Sequence, residues 1–124
     1  MQPLALWQPP RIAGLLTDID DTLTTEGAIT PDALAALADL KAAGLHVIPI
    51  TGRPVGWSEP FAQAWPVDAI VAENGAVALL PGSSKQTGSQ SAPDRRMQLS
   101  KIYQQDDATR AANYARMQQV LADI

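Results

Sequence analysis

Three apolar runs punctuate the first two thirds of the chain: IAGLLTDI at residues 12–19, LHVIPIT at 45–51 and VDAIVAEN at 67–74. All three close on or beside polar side chains. A run that is apolar without alternation predicts a strand covered on both faces, which is the pattern of a parallel sheet. After the loop TTEGAI, Thr30 followed by Pro31 and Asp32 predicts a helix start, with a side-chain cap and proline at the first helical position. Leu34, Leu37, Ala38 and Leu40 then recur at helical spacing until Gly44 stops the helix. Residues 54–65 predict a second, shorter helix. Pro49 is the awkward member of the second run, because it removes a donor from the sheet ladder. The order β-α-β-α-β with right-handed crossovers predicts a Rossmann-like three-layer α/β/α arrangement around a parallel sheet. Ligands of such a sheet sit beyond the carboxyl ends of the strands.

Composition removes several classes of function. A chain of 124 residues with 46% hydrophobic and 18% charged content suits one globular unit. The net charge of −4 and the lack of a Lys/Arg cluster argue against nucleic acid or an anionic membrane as partner, leaving small-molecule chemistry. With no cysteine there is neither a disulfide framework nor a thiolate metal site, in keeping with a cytoplasmic protein. The opening MQPLALWQPPR has no basic region ahead of its apolar residues and is too short for a signal peptide or a spanning helix.

The three strand ends carry the chemistry. The first ends at Asp18-Ile19-Asp20, the second at Thr51-Gly52-Arg53 and the third at Glu73-Asn74-Gly75. In a parallel sheet these ends converge. Side chains two apart point the same way along a strand, so Asp18 and Asp20 can face one site while Ile19 turns into the core. Crowded carboxylates repel one another, and a hard divalent cation such as Mg²⁺ is the usual means of holding them ionised together.

An Asp-x-Asp alone is most often a solvated turn or a helix cap. Here it stands with Ile50-Thr51-Gly52-Arg53-Pro54 and Glu73-Asn74-Gly75-Ala76, and the combination resembles the first part of a haloacid dehalogenase (HAD) superfamily phosphatase over roughly residues 12–80. More narrowly it resembles the branch with a large α/β cap, which includes Cof-type sugar phosphatases and sucrose-phosphate phosphatase. The resemblance implies a Mg²⁺-dependent phosphomonoester hydrolase acting on a small phosphorylated metabolite through a phosphoaspartyl intermediate. It implies that Asp18 is the nucleophile, and that Asp20 protonates the leaving alcohol and then activates water. It also implies that the Asp18 carboxylate and the Asp20 carbonyl hold the metal, and that Thr51 and Gly52 bind phosphoryl oxygens.

Nearby residues leave alternatives open. Arg53 and Asn74 either face the leaving group or, for Arg53, pair with a surface acid such as Glu59. Asp21 stands where many relatives have glycine and is left out of catalysis. Thr22 either tunes Asp20 or caps the turn. His46 is read as structural, and Trp57 and Trp65 as packing the second helix onto the sheet.

Beyond residue 80 the composition changes. Residues 1–80 are read as the N-terminal part of the core, and residues 81–124 as a linker followed by the beginning of a cap. PGSSKQTGSQSAPD, at 81–94, has no hydrophobic period. After it MQLSKIY reads as a short strand, and Asp106 or Asp107 caps a helix whose Tyr114, Met117, Leu121 and Ile124 share an apolar face. The lysine and the later aspartates of the family pattern have no counterpart: Lys85, Lys101 and Asp106-Asp107 lie in the wrong context. A truncated chain is the simplest expectation, with weak activity and self-association through the apolar helix. Two other classes compete. A receiver domain fails because its phosphorylated aspartate belongs where this chain has Glu73-Asn74. A non-catalytic phosphatase-like binding or assembly module remains as the alternative.

Overall fold

The computed structural model describes residues 3–8, 11–82 and 99–124. In chain order its elements are β1 (Gly14–Asp18), β2 (Thr24–Thr25), β3 (Ala28–Ile29), α1 (Pro31–Ala42), β4 (His46–Ile50), α2 (Val55–Ala64), β5 (Ile70–Ala72), β6 (Val77–Leu80), β7 (Ser100–Tyr103) and α3 (Asp107–Asp123). Strands β1, β4, β5, β6 and β7 lie in that order in one sheet, and β2 pairs with β3 in a separate two-stranded flap. The strand pairs β1–β4 and β4–β5 are parallel, whereas β5–β6 and β6–β7 are antiparallel. The fold is thus of the expected α/β class, extended on one side by an antiparallel pair that the apolar runs did not announce. The sheet therefore does not stop at three strands. Residues 100–103, which fall in the stretch read as the start of a cap, form its far edge strand.

Local chemistry explains the helix boundaries. The Thr30 hydroxyl accepts the Ala33 N–H at 3.4 Å and Pro31 opens α1, as its sequence predicts. The Asp106 carboxylate accepts the Thr109 N–H at 2.7 Å at the start of α3.

The core lies on one face of the sheet. Val47, Ile70, Ala72, Val77 and Leu79 alternate inward along β4, β5 and β6 and meet Leu37 of α1, Ala62 of α2 and the adjoining Trp65. Trp65 stacks on Phe61 with ring centroids 4.5 Å apart. Successive right-handed crossovers in one direction bring α1 and α2 to the same side. On the opposite face, among the described residues, Leu16 and Ile102 remain 64% and 59% exposed. Helix α3 buries none of its residues.

Residues 83–94 of the expected linker, and Lys85 with them, lie outside the described residues. Among the described residues no helix is long and apolar enough to cross a membrane.

Candidate active site

The strand ends deliver the side chains. Asp18 is the last residue of β1, Thr51 follows the last residue of β4, and Glu73 follows the last residue of β5. Ile19 is fully buried, so the chain is pinned between two accessible acids, Asp18 and Asp20. Its carbonyl accepts the N–H groups of Thr22, Leu23 and Thr24 at 3.0 to 3.3 Å and the Thr24 hydroxyl at 3.1 Å. That single tight turn carries Asp20 and Asp21 back over the strand end. Asp21 adopts φ 57°, a left-handed conformation that aspartate tolerates better than most residues and glycine better still.

Each predicted site residue has a definite place. Asp18 is exposed, and its Oδ2 is approached by the Thr22 hydroxyl at 3.4 Å, so Thr22 serves the first acid and not the second. Asp20 is gripped by Arg53: Nε donates to Oδ2 at 2.9 Å and Nη2 lies 2.5 Å from Oδ1. The Arg53 guanidinium, through its hydrogen bond and then its charge, holds the Asp20 carboxyl below the usual carboxylate range against an opposing effect of burial, with a lesser contribution from the Thr51 hydroxyl. Arg53 is raised in turn by the same carboxylate. The alternative partner Glu59 is taken by Lys101, 2.5 Å away.

Thr51 is 3% exposed. Its N–H donates to the Val71 carbonyl, its carbonyl accepts from Asn74, and its Oγ1 accepts the Arg53 N–H at 3.1 Å. Gly52 follows in a place where a Cβ would stand 3.0 Å from Asn74 Oδ1, so this residue allows the Asn74 amide to close onto the strand end. The turn after β5 bends through three consecutive positive φ angles, 53° at Glu73, 55° at Asn74 and 101° at Gly75. Such a run is strained for the two residues with side chains, and strain of this kind gathers at functional sites.

Two residues have places that the sequence reading did not give them. Glu73 Oε1 accepts the Val55 N–H at 3.0 Å, capping α2 from another strand, and its own N–H donates to the Arg53 carbonyl. Its position after a buried strand was the available sign. Trp57 was placed in the core, yet it is 63% exposed, with its ring 5.0 Å from the Arg53 guanidinium carbon. The correction follows from helix phase: Ser58, Ala62 and Trp65 are the buried positions, and Trp57 sits about a hundred degrees away from that stripe.

The described residues contain no group of three or more His, Cys, Asp or Glu able to hold a metal. The Asp18 carboxylate and Asp20 carbonyl are hard oxygen donors of the kind Mg²⁺ takes, and such an ion keeps several waters. They fit the ion in kind and would fill only part of its shell.

A family profile described as haloacid dehalogenase-like hydrolase matches residues 15–117. A HAD-superfamily phosphatase from Bacteroides thetaiotaomicron is 29% identical, over 59% of this chain and 29% of its own, with a TM-score of 0.50. A HAD subclass IIB sugar phosphatase is 27% identical over 56% of this chain and 28% of its own, with a TM-score of 0.47. A protein from Geobacillus kaustophilus is 30% identical over 51% of this chain and 25% of its own, with a TM-score of 0.46. This chain therefore spans less than a third of the length of each. No curated protein matches it.

Proposed function

Because the chain belongs to the haloacid dehalogenase-like hydrolase family, we propose that it carries the nucleophile and the acid of a phosphomonoester hydrolase acting on a sugar phosphate or a similar small phosphorylated metabolite. The reading rests on one observation: Asp18, Asp20, Thr51, Gly52, Arg53 and Asn74 come from the ends of three adjacent parallel strands and their following turns, tied together by the Arg53–Asp20 pair and the Thr51–Asn74 backbone bond.

In the proposed reaction an Asp18 carboxylate oxygen attacks phosphorus. The bond from phosphorus to the ester oxygen breaks, its electron pair leaves with the alcohol, and Asp20 supplies the proton that the alcohol takes. Asp20 then accepts a proton from a water that attacks the acyl phosphate, and cleavage of the bond to Asp18 returns the carboxylate and releases phosphate. Thr51 and Gly52 receive phosphoryl oxygens at the strand end, while Arg53 and Asn74 stand on the leaving-group side. Mg²⁺, when bound at the Asp18 carboxylate and the Asp20 carbonyl, supplies positive charge that offsets the repulsion between nucleophile and phosphoryl group.

Kinetics of two variants test the assignment in the whole protein that carries this chain. Asp18→Asn is expected to abolish turnover of every substrate. Asp20→Asn is expected to spare phosphoenzyme formation from esters whose leaving group needs no proton. Equal residual activity in both variants, with either type of ester, would contradict the roles.

A further inference from the structure

Trp57 lies in the first turn of α2 with most of its indole in solvent, although it is the largest apolar side chain on that helix. Nothing in the core requires it there. What it does contact is Arg53, whose guanidinium carbon is 5.0 Å from the ring centroid. Arg53 is tied at both its backbone and its side chain. Its backbone N–H is held by Thr51 Oγ1 at 3.1 Å and its carbonyl by the Glu73 N–H at 3.0 Å. Its fork is matched edge-on to both oxygens of Asp20, and Trp57 supports it.

A planar fork that accepts a carboxylate edge-on equally accepts two oxygens of a phosphoryl group, which carries more charge. The two tasks compete. While Arg53 occupies both Asp20 oxygens, that carboxyl is engaged away from the ester oxygen it is to serve. Both partners are about one third exposed, 31% for Arg53 and 38% for Asp20, so the pair can open without stranding a buried charge.

Building on the phosphatase reading, we propose that Arg53 has two stations, one on Asp20 in the empty site and one on the phosphoryl oxygens beside the leaving group of a phosphorylated ligand, and that Trp57 is the positioning residue that supports the guanidinium at the first. Trp57 touches neither the ligand nor the reacting atoms. Its contribution is a support for the cation on Asp20, and loss of that exposed cation–π contact corresponds to roughly a two- to five-fold gain in affinity for the ligand.

The test is a titration of the 124-residue chain with inorganic phosphate in the presence of Mg²⁺, followed by proton–nitrogen NMR. The Thr51 and Gly52 amides report occupancy of the phosphoryl site, and the Arg53 Nε–H reports which station the guanidinium holds. The expected result is that the Arg53 resonance moves in step with the Thr51 and Gly52 amides. Trp57→Leu should tighten phosphate roughly two- to five-fold, and Trp57→Phe should return it toward the parent. If Thr51 and Gly52 respond while the Arg53 Nε–H stays still, or if Trp57→Leu binds no tighter than the parent, the two-station inference is overturned and the phosphatase reading stands. If Thr51 and Gly52 show no saturable response, both fall together.

Discussion

Asp68 offers the clearest quantitative test of how the site-bearing strands are held. It precedes β5 and does two things at once: Oδ2 accepts the N–H of the fully buried Val47 at 2.7 Å, and Oδ1 lies 2.5 Å from Lys41 Nζ at the end of α1. His46 Nδ1 stands 3.7 Å from the same oxygen. Pro49 has no N–H to offer β5, and β4 and β5 pair directly only at Ile50 and Val71, so a side chain does work the ladder cannot. Asp68→Ala leaves a buried N–H without its acceptor, at a cost of about 1–3 kcal/mol. It also removes a half-exposed ion pair worth about 0.5 kcal/mol after screening. Together the loss should be roughly 1.5–3.5 kcal/mol. Asp68→Asn keeps an acceptor for Val47 and should cost only about 0.5–1 kcal/mol. Urea unfolding of the parent and both variants measures this directly. The pH dependence has a definite sign. Burial pushes the Asp68 carboxyl up, but the Lys41 and Val47 hydrogen bonds pull it down further, leaving it below its ordinary 3.8. Its stabilisation is present above that unfolded value and is lost as pH falls through the lower folded value, so the gap between parent and Asp68→Asn should close under acid. An Asn variant as unstable as the Ala variant would refute the idea that Asp68 acts chiefly as the acceptor for Val47.

Mg²⁺ should bind weakly, because the described residues offer it only the Asp18 carboxylate and the Asp20 carbonyl; calorimetry showing tight binding that survives Asp18→Asn would contradict the assignment. Gly52→Ala should displace the Asn74 side chain by a few tenths of an ångström, since the new Cβ meets its Oδ1 at 3.0 Å, and NMR shifts of the Asn74 amide matching the parent would show that the close approach is dispensable. The chain should self-associate through α3, where Tyr114, Met117, Leu121 and Ile124 are 58% to 97% exposed. Light scattering should report larger species for the parent than for a Met117→Glu, Leu121→Glu variant, and equal sizes would remove α3 from consideration.

What could be read in advance depended on how local its cause was. Helix α1 was legible because Thr30, Pro31 and Gly44 act within a few residues of one another, and α3 because Asp106 caps it. The three parallel strands were legible from their unbroken apolar runs, although the expected cover on both faces is not met among the described residues: β1 leaves Leu15 and Leu16 39% and 64% exposed. The flap was not, since β2 and β3 have two residues each and no period can be seen in two residues. Its turn, Glu26-Gly27 with φ 51° and 81°, carries only one of the residues that favour such angles. Strand β6 was hidden by its short link to β5, where Glu73 takes a left-handed angle that its type does not advertise. The Arg53 partner illustrates a wider point. Glu59 is near in sequence, whereas Asp20 is 33 residues away and is brought in by strand pairing. The strand ends told which residues meet, and only coordinates told which of them touch.

The central claim is that Asp18 becomes phosphorylated. Exposing the protein to a small acyl phosphate, trapping aspartyl phosphate by reduction and locating the product by peptide mass spectrometry tests it most directly. Modification is expected at Asp18, absent from Asp18→Asn and retained in Asp20→Asn. Modification at Asp20 or Asp21, or phosphate released at ordinary enzyme rates with Asp18 never modified, would contradict it.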